Sequence, residues 1–273
     1  MATAAHSLDL AAVKQRQQLT WSAGDYAEVG ATLQIIAEDL CEAVDLRAGQ
    51  RVLDVATGSG NAALAAARRF ADVIGVDYVP SLLQRGRARA DAEGLAVEFR
   101  DGDAEDLAFF DESFDVVLST LGVMFAPNQD ATARELVRVC RPGGKIGLAN
   151  WTPEGYIGGM FRTIGRHVPP PAGLQSPLLW GTEERVRELF GDNISSLTAE
   201  RRHFNFRYRS PEHCVHFFRS YYGPMRKAFE ALDEAGQDDL TRDLLDLMAQ
   251  FNRSSDGDLV VPSEYLEVVA IRR

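Results

Sequence analysis

The residues best suited to ligand chemistry are an acidic residue, a glycine-rich turn behind it and a second acidic residue further along. The first part is Asp54-Val-Ala-Thr-Gly-Ser-Gly60, which follows the apolar pair Val52 and Leu53 and precedes an Ala-rich run. This pattern predicts a buried strand, a tight turn and a helix. Glycines let a ligand approach the backbone, and a helix start presents unpaired N–H groups. We therefore expect a polar ligand at this turn.

The second acidic residue is Asp77, at the end of Ile74-Gly-Val-Asp77, which is predicted to be the second strand. At the carboxyl end of a parallel strand, its carboxylate would lie near the glycine-rich turn and accept both hydroxyls of a ribose. The ligand is therefore predicted to contain a nucleoside. Tyr78 follows directly, and its ring is expected to lie against the adenine face. The alternative for Tyr78 is a partly exposed tyrosine at a strand end.

Two kinds of nucleotide site share this layout. Gly58-x-Gly60-x-x-Ala63 fits a dinucleotide fingerprint, so an NAD(P)-dependent Rossmann oxidoreductase remains an alternative on the glycines alone. Asp54-x-Ala56-x-Gly58-x-Gly60 resembles the first motif of the class I S-adenosylmethionine-dependent methyltransferases, with alanine in the first glycine position. The carboxylate of Asp54 would repel a pyrophosphate and attract the ammonium group of S-adenosylmethionine.

Two later stretches resemble the same family. Asp101-Gly-Asp103-Ala-Glu-Asp106 is similar to a loop in which an aspartate accepts from the adenine amine and the next backbone N–H serves a ring nitrogen. The resemblance gives these roles to Asp103 and Ala104, with a solvated acidic loop as the alternative. Arg141-Pro-Gly-Gly-Lys145 resembles the family's turn into the fifth strand, which nicotinamide dehydrogenases lack at this place. This turn favours the methyltransferase interpretation, closest to the ubiquinone/menaquinone methyltransferase-like (type 11) branch.

The fourth predicted strand completes the site. The apolar run at 113–119 is typical of a strand buried on both faces, and its end lies where the strand order reverses. Backbone carbonyls near Ser119 and Thr120 are expected to receive the aminoacyl ammonium, with Met124 and Phe125 on the substrate side. The implied cofactor is S-adenosyl-L-methionine, which leaves as S-adenosyl-L-homocysteine. Its predicted contacts are Tyr26, Asp54, Ala56, Thr57, Gly58, Gly60, Asp77, Tyr78, Asp103, Ala104, Ser119 and Thr120.

The resemblance implies an α/β, Rossmann-like fold with a seven-stranded, mostly parallel sheet in the order 3-2-1-4-5-7-6 and helices on both faces. We expect an N-terminal helical flap at 1–45 and the S-adenosylmethionine-binding core at 46–152. Residues 153–273 are expected to complete the same domain. Within them, helices at about 211–253 are predicted to be inserted between the last two strands as a substrate lid.

Three local expectations complete the fold prediction. One flap helix is expected to start at a Ser7 cap, and a second is expected to run from about Val29 to Val44. Residues 152–181 are rich in Gly and Pro and are expected to form a loop or a broken helix. In the flap, Trp21 and Tyr26 either fix it to the domain or contact the ligand.

No residue is assigned a catalytic role. Methyl transfer needs an aligned, dry pocket, and it needs a base only if the acceptor must lose a proton. The spacing of His213-x-x-His216 suits a metal on a helix, but a third ligand is lacking, so no metal site is predicted. The side chains considered as a base are His167, His203, His213, His216, Tyr221 and Tyr222.

Composition and net charge limit the classes of binding partner that are expected. The 273 residues, 45% apolar and 25% charged, are typical of a globular protein, and the net charge of −11 disfavours nucleic acid and anionic membranes. Cys41, Cys140 and Cys214 are scattered and predict no disulfide framework. Neither a leader nor a membrane span is recognised, so a cytoplasmic location is expected. We predict a methyltransferase of a small-molecule acceptor, of open oligomeric state, with a non-catalytic methyltransferase-fold binding protein as a further alternative.

Overall fold

One mixed sheet organises the chain. The computed structural model describes residues 8–273, and its seven strands lie in the order β3-β2-β1-β4-β5-β7-β6, which confirms the predicted topology. The first five strands are parallel, and β7 pairs antiparallel with both β5 and β6. The strands are β1 (Arg51–Val55), β2 (Asp72–Asp77), β3 (Val97–Asp101), β4 (Phe114–Thr120), β5 (Cys140–Trp151), β6 (Ile194–Tyr208) and β7 (Leu259–Arg272).

Helices cover both faces of this sheet. Within residues 8–273, no helix has the length and apolar character needed to cross a membrane. The helices are α1 (Leu10–Ser22), α2 (Tyr26–Thr32), α3 (Gln34–Ala43), α4 (Asn61–Ala67), α5 (Pro80–Glu93), α6 (Gln129–Val139), α7 (Tyr156–His167), α8 (Glu183–Phe190), α9 (Pro211–Tyr221), α10 (Gly223–Glu230) and α11 (Glu234–Phe251).

The central strands are apolar because both of their faces are covered. In β1, Val52, Leu53 and Val55 are completely buried, as parallel strands between two helical layers require. Helix α4 follows the glycine-rich turn, and its alanines from 62 to 66 are buried. Small side chains let α4 lie close to the sheet. The turn is therefore fixed by the buried strand β1 before it and by the closely packed helix α4 after it.

Two expectations about the helices of the flap differ from the structure. Ser7 lies outside the described residues, and α1 starts at Leu10, where the Asp9 carboxylate accepts from the Ala12 N–H at 3.0 Å. The helix expected at 29–44 is divided into α2 and α3 at Leu33, whose φ of −100° and ψ of 6° interrupt the helix.

The region 152–181 contains a regular helix, α7, where glycine and proline suggested a loop or a broken helix. Its glycines serve packing. A Cβ added to Gly159 would lie 2.9 Å from a methyl carbon of Leu247 in α11, and one added to Gly158 would lie 2.3 Å from the Pro153 carbonyl oxygen. Close approach of neighbouring chain segments therefore explains both residues without a break in the helix.

The flap and the inserted helices meet over the carboxyl edge of the sheet, and we call α1, α9 and α10 together the roof. A Cβ added to Gly24 would lie 2.2 Å from the Tyr221 carbonyl oxygen, and one added to Gly223 would lie 2.0 Å from the Thr20 carbonyl oxygen. The backbones are thus in direct contact. Two segments from distant parts of the chain form one cover.

Candidate functional site

A cleft of about 900 Å³, a volume that includes its open mouth, lies at the carboxyl ends of β1, β2 and β4. The strand order reverses between β1 and β4, so the connections diverge there and leave space for a ligand. Most of the sequence-predicted residues line this cleft, namely Tyr26, Ala56, Thr57, Gly58, Asp77, Tyr78, Asp103, Ala104 and Thr120.

Asp77 joins the second strand to the glycine-rich turn. One carboxylate oxygen accepts from the Gly58 N–H at 2.9 Å, and the other accepts from the Val79 N–H at 2.9 Å. The residue is only 6% exposed, and burial raises the pKa of its carboxyl to about 6. A carboxylate oxygen can accept more than one hydrogen bond, so both retain capacity for hydroxyls of a ligand in the cleft.

Asp54 does not line the cleft, contrary to the expectation that it faces an ammonium group. Its carboxylate accepts from the Thr57 hydroxyl at 2.5 Å and from the Ala63 N–H at 2.9 Å. These donors lie inside the turn and at the start of α4, and they hold the carboxylate away from the ligand space. Asp54 is 1% exposed, and burial raises its pKa to about 7. Asp54 therefore stabilises the turn through hydrogen bonds inside it.

The raised pKa of Asp54 predicts that the ligand-free protein loses stability as the pH rises from about 4 to about 7. Its usual pKa is 3.8, so over this range the unfolded chain releases a proton that the folded chain retains. This contribution is complete below the unfolded pKa and is lost above the folded one. Urea unfolding at pH 5 to 8 should show a smaller loss for Asp54→Asn than for the wild type. Parallel pH profiles for the two proteins would contradict the assignment.

Ala56 occupies the first glycine position of the turn and has a φ of +54°. This left-handed conformation costs about 1–2 kcal/mol for a residue with a side chain. The methyl group fits because Gly122, in the adjacent loop after β4, has no side chain. A Cβ added to Gly122 would lie 2.7 Å from the Ala56 Cβ and 2.5 Å from its carbonyl oxygen. The missing side chain of Gly122 therefore provides the space that a glycine at position 56 would otherwise leave.

Gly60 and Ser119 support the cleft without lining it. Gly60 has a φ of +89°, and a Cβ there would lie 2.9 Å from the ring of Phe99. The Ser119 hydroxyl donates to the Val55 carbonyl at 2.8 Å and accepts from the Val123 N–H at 3.1 Å. Their positions are set by internal packing and hydrogen bonding. By contrast, the buried Thr120 hydroxyl has no hydrogen-bond partner within residues 8–273.

Sequence analysis did not identify Lys14, which lies on α1 at the edge of the cleft. Its ammonium nitrogen lies 2.5 Å from an Asp103 carboxylate oxygen and 2.6 Å from one of Glu105. On the same helix, the Gln18 amide donates to the Tyr78 carbonyl. The flap is thereby tied to the two loops expected to surround adenine. Local patterns carry no signal for Lys14 because its partners are distant in the chain.

None of the histidines considered as a base lines the cleft. His167 contacts Asp243 with 2.9 Å between its Nε2 and a carboxylate oxygen, and this pair joins α7 to α11. Tyr221 is 37% exposed, whereas Tyr222 is buried beside the cleft. No group of three potential metal-binding side chains was found in the described part of the chain.

Comparison with known proteins identifies the family. The family model of a methyltransferase domain matches residues 52–144. An uncharacterized protein of Mycobacterium tuberculosis is 42% identical over 261 residues, which cover 93% of each chain. The demethylmenaquinone methyltransferase of Deinococcus radiodurans is 37% identical over 128 residues, which cover 45% of this chain and 53% of that protein.

Solved structures agree on the fold. The crystal structure of a putative methyltransferase from Bacillus halodurans has a TM-score of 0.60 at 22% identity, and the match covers 86% of this chain and 97% of that one. The matched segment at 52–144 contains the glycine-rich turn, Asp77 and the Asp103 loop, so it supplies most of the residues that line the cleft. The chain belongs to the class I S-adenosylmethionine-dependent methyltransferases.

Proposed function

We propose that this methyltransferase transfers a methyl group from S-adenosylmethionine to a small-molecule acceptor. The observation that carries the cofactor assignment is the cleft at the switch point of the sheet, where the Asp77 carboxylate and the glycine-rich turn are joined by a hydrogen bond. Ligands of open α/β sheets bind at this position.

The residues present fit this cofactor. A Cβ added to Gly58, whose φ is +55°, would find its nearest atoms 3.8 Å away in the ring of Tyr26, so space is left for a ligand against the turn. Asp77 would accept from the ribose hydroxyls, and Asp103 with the Ala104 N–H would serve adenine. Thr120 lines the cleft, and its buried hydroxyl, which has no partner within residues 8–273, lies near the place expected for the aminoacyl part. When bound, S-adenosylmethionine supplies an electrophilic methyl group on its sulfonium.

The chain's own contribution is to orient the reactants and exclude water. Trp21 and Tyr26 from the flap and Phe125 from the loop after β4 also line the cleft. The Trp21 ring lies 5.5 Å from Tyr26 and 4.8 Å from Phe125 in edge-to-face contacts, which form a continuous apolar wall. Such a wall favours a reaction in which charge is dispersed.

A small acceptor is supported by the roof, which covers the carboxyl edge of the sheet with backbone-to-backbone contacts. The net charge of −11 supports an acceptor other than nucleic acid. A cytoplasmic location stays a prediction.

The cofactor assignment is tested by thermal unfolding with S-adenosylhomocysteine and with NAD. We expect S-adenosylhomocysteine to raise the melting temperature, because a ligand at one hundred times its Kd stabilises the folded state by about 2.7 kcal/mol. NAD is expected to leave it unchanged. Stabilisation by NAD without stabilisation by S-adenosylhomocysteine would instead support the oxidoreductase alternative.

A further inference from the structure

Arg89 of α5 contacts the glycine-rich turn but does not line the cleft. Its Nη1 donates to the Ser59 carbonyl at 2.7 Å and to the Asn61 side-chain oxygen at 2.8 Å. Its Nη2 donates to the side-chain oxygen of Gln34 in α3 at 2.8 Å. Ser59 and Asn61 both line the cleft, so Arg89 reaches the cleft only through residues that line it.

The partners of Arg89 are neutral oxygens. Within residues 8–273, no carboxylate oxygen lies within 4.0 Å of its guanidinium, and Glu93, one turn further along α5, instead contacts Arg68 at 2.5 Å. Arg89 is half-buried, and burial lowers its pKa. A charge in such a place needs hydrogen bonds, and the planar fork of arginine can serve several oxygens at once. Its contacts therefore place the guanidinium at the turn and do not form a surface ion pair.

The carbonyl of Ser59 needs a donor from outside α4. At the start of an α-helix, this carbonyl would accept from the N–H four residues later, which belongs to Ala63. The Ala63 N–H instead donates to the Asp54 carboxylate at 2.9 Å. Ser59 is 2% exposed, and a buried carbonyl without a donor is destabilising. Arg89 supplies the donor that Asp54 diverts.

Arg89 also fixes the plane of the Ser59–Gly60 peptide. The Gly60 N–H donates to the Thr57 carbonyl at 2.8 Å, so both ends of this peptide are hydrogen-bonded. Rotation of the peptide plane changes ψ of Ser59 and φ of Gly60, and glycine adopts either sign of φ. The local sequence therefore permits both orientations of the peptide, and the contact with Arg89 favours the observed one.

The same contacts extend to the flap. The Asn61 side-chain nitrogen donates to the Gly30 carbonyl of α2 at 2.7 Å, while its side-chain oxygen accepts from Arg89. The Gln34 side-chain nitrogen donates to the Asn61 carbonyl at 3.1 Å. Helix α2 begins at Tyr26, which lines the cleft. Arg89 is thus connected to two parts of the cleft lining, the turn and α2.

We propose that Arg89 is a positioning residue for S-adenosylmethionine. It holds the Ser59–Gly60 peptide and the Asn61 side chain in the orientation that receives the cofactor, and it does not touch the cofactor itself. The inference rests on the function proposed above. The effect of Arg89 passes through its hydrogen bonds to the turn.

The test measures S-adenosylhomocysteine affinity by calorimetry in Arg89→Met, which keeps a long side chain and removes the donors. Substitutions that act on a binding site without touching its ligand change affinity about 2- to 30-fold, and we expect a loss in this range. The matched control is Arg87→Met on the same helix. The Arg87 guanidinium donates to the Phe99 carbonyl of β3 at 2.6 Å, and Arg87 does not line the cleft.

We expect the affinity of Arg87→Met for S-adenosylhomocysteine to stay within about twofold of the wild type. An unchanged affinity in Arg89→Met, or an equal loss in the two variants, would overturn the proposal.

Amide hydrogen exchange in the ligand-free proteins distinguishes positioning from a general loss of stability. The Gly60 N–H keeps its bond to the Thr57 carbonyl only while the peptide holds its orientation. We expect faster exchange at Gly60, relative to the amides of β4, in Arg89→Met but not in Arg87→Met. The same exchange at Gly60 in both variants would contradict the role assigned to Arg89.

Arg89→Lys tests for rescue by a conservative change. Lysine keeps the charge and can donate to the Ser59 carbonyl, but it lacks the fork that serves Asn61 and Gln34 together. Its affinity for S-adenosylhomocysteine should lie between those of Arg89→Met and the wild type, and an affinity equal to that of Arg89→Met would count against the proposal. If Arg89→Met does not fold, Arg89→Lys is compared with Arg87→Met, and equal affinities would overturn the proposal.

The two proposals fail in different ways. If the wild type does not bind S-adenosylhomocysteine, the proposed function fails, and exchange at Gly60 still tests how Arg89 holds the turn. If the wild type binds it and Arg89→Met binds it equally well, only the role of Arg89 fails.

Discussion

Replacing Asp77 by alanine is expected to weaken S-adenosylhomocysteine binding about 10- to 150-fold. Hydrogen bonds to a charged acceptor contribute about 1.5–3 kcal/mol, and each 1.4 kcal/mol corresponds to a factor of ten in affinity. The substitution also removes the acceptor of the Gly58 and Val79 N–H groups, so the turn loses its connection to β2. Isothermal titration calorimetry measures the change directly.

Asp101→Asn is the matched control for Asp77. Asp101 pairs with Asp77 in the register of β2 and β3, and its charge contributes to the raised pKa of Asp77, but it does not line the cleft. We expect the affinity of Asp101→Asn for S-adenosylhomocysteine to stay near that of the wild type. Asp77→Asn keeps one acceptor oxygen, so its affinity for S-adenosylhomocysteine should lie between those of Asp77→Ala and the wild type. Unchanged affinity in Asp77→Ala would show that the ribose is held elsewhere.

Gly122→Ala is expected to lower the free energy of unfolding by about 1–3 kcal/mol, the usual cost of overpacking, and to weaken S-adenosylhomocysteine binding at least tenfold. The φ of Gly122 is −106°, which an alanine can adopt, so the expected cost is steric. The new methyl group would lie 2.5 Å from the Ala56 carbonyl oxygen, which belongs to the backbone of the glycine-rich turn. The turn must therefore shift. Urea unfolding and calorimetry measure the two effects.

Gly102→Ala provides the comparison, since Gly102 also lines the cleft. A Cβ there would meet only the Val76 side chain, at 3.3 Å, so a much smaller effect is expected. Adding Ala56→Gly to Gly122→Ala should restore only part of the stability, because the clash with the carbonyl remains. Equal stabilities of the Gly122→Ala and Gly102→Ala proteins would contradict the steric explanation.

The sheet topology and much of the cleft could be predicted from the sequence. Parallel strands end at the same edge of a sheet, so the glycine-rich turn and Asp77 had to lie close together once their strands were recognised. The motif resemblance then supplied the strand order and the mostly parallel arrangement of the sheet. These are properties of local patterns and of family topology.

The direction of individual side chains was harder to predict. Asp54 turns inward because the Thr57 hydroxyl and the Ala63 N–H meet it there, and this arrangement exists only in the folded turn. Met124 was expected on the substrate side, but it is buried and does not line the cleft, whereas Phe125 does. Adjacent residues in a short turn point in different directions, and no periodicity distinguishes them.

The aromatic cluster beside the cleft illustrates a second limit. Its members come from β5, β6, the C-terminal half of α9 and the residue that follows it, and each is an ordinary apolar residue in its own segment, namely Trp151, Phe206, Phe218 and Tyr222. Tyr222 was considered from the sequence as a base. Its surroundings give it a different character, because burial among aromatic rings keeps its hydroxyl protonated. Such a cluster is a property of long-range packing.

The position of β7 has a consequence for how the protein is made. It follows every other described element in the chain, yet it lies between β5 and β6, so β6 joins the sheet only through it. On the ribosome, the strands around the glycine-rich turn can pair early, while the edge of β5 stays unpaired until residues 259–272 have been synthesised. A nascent chain would thus complete the half that contains the glycine-rich turn and Asp77 well before the half that contains Phe206, and would need protection from aggregation in between.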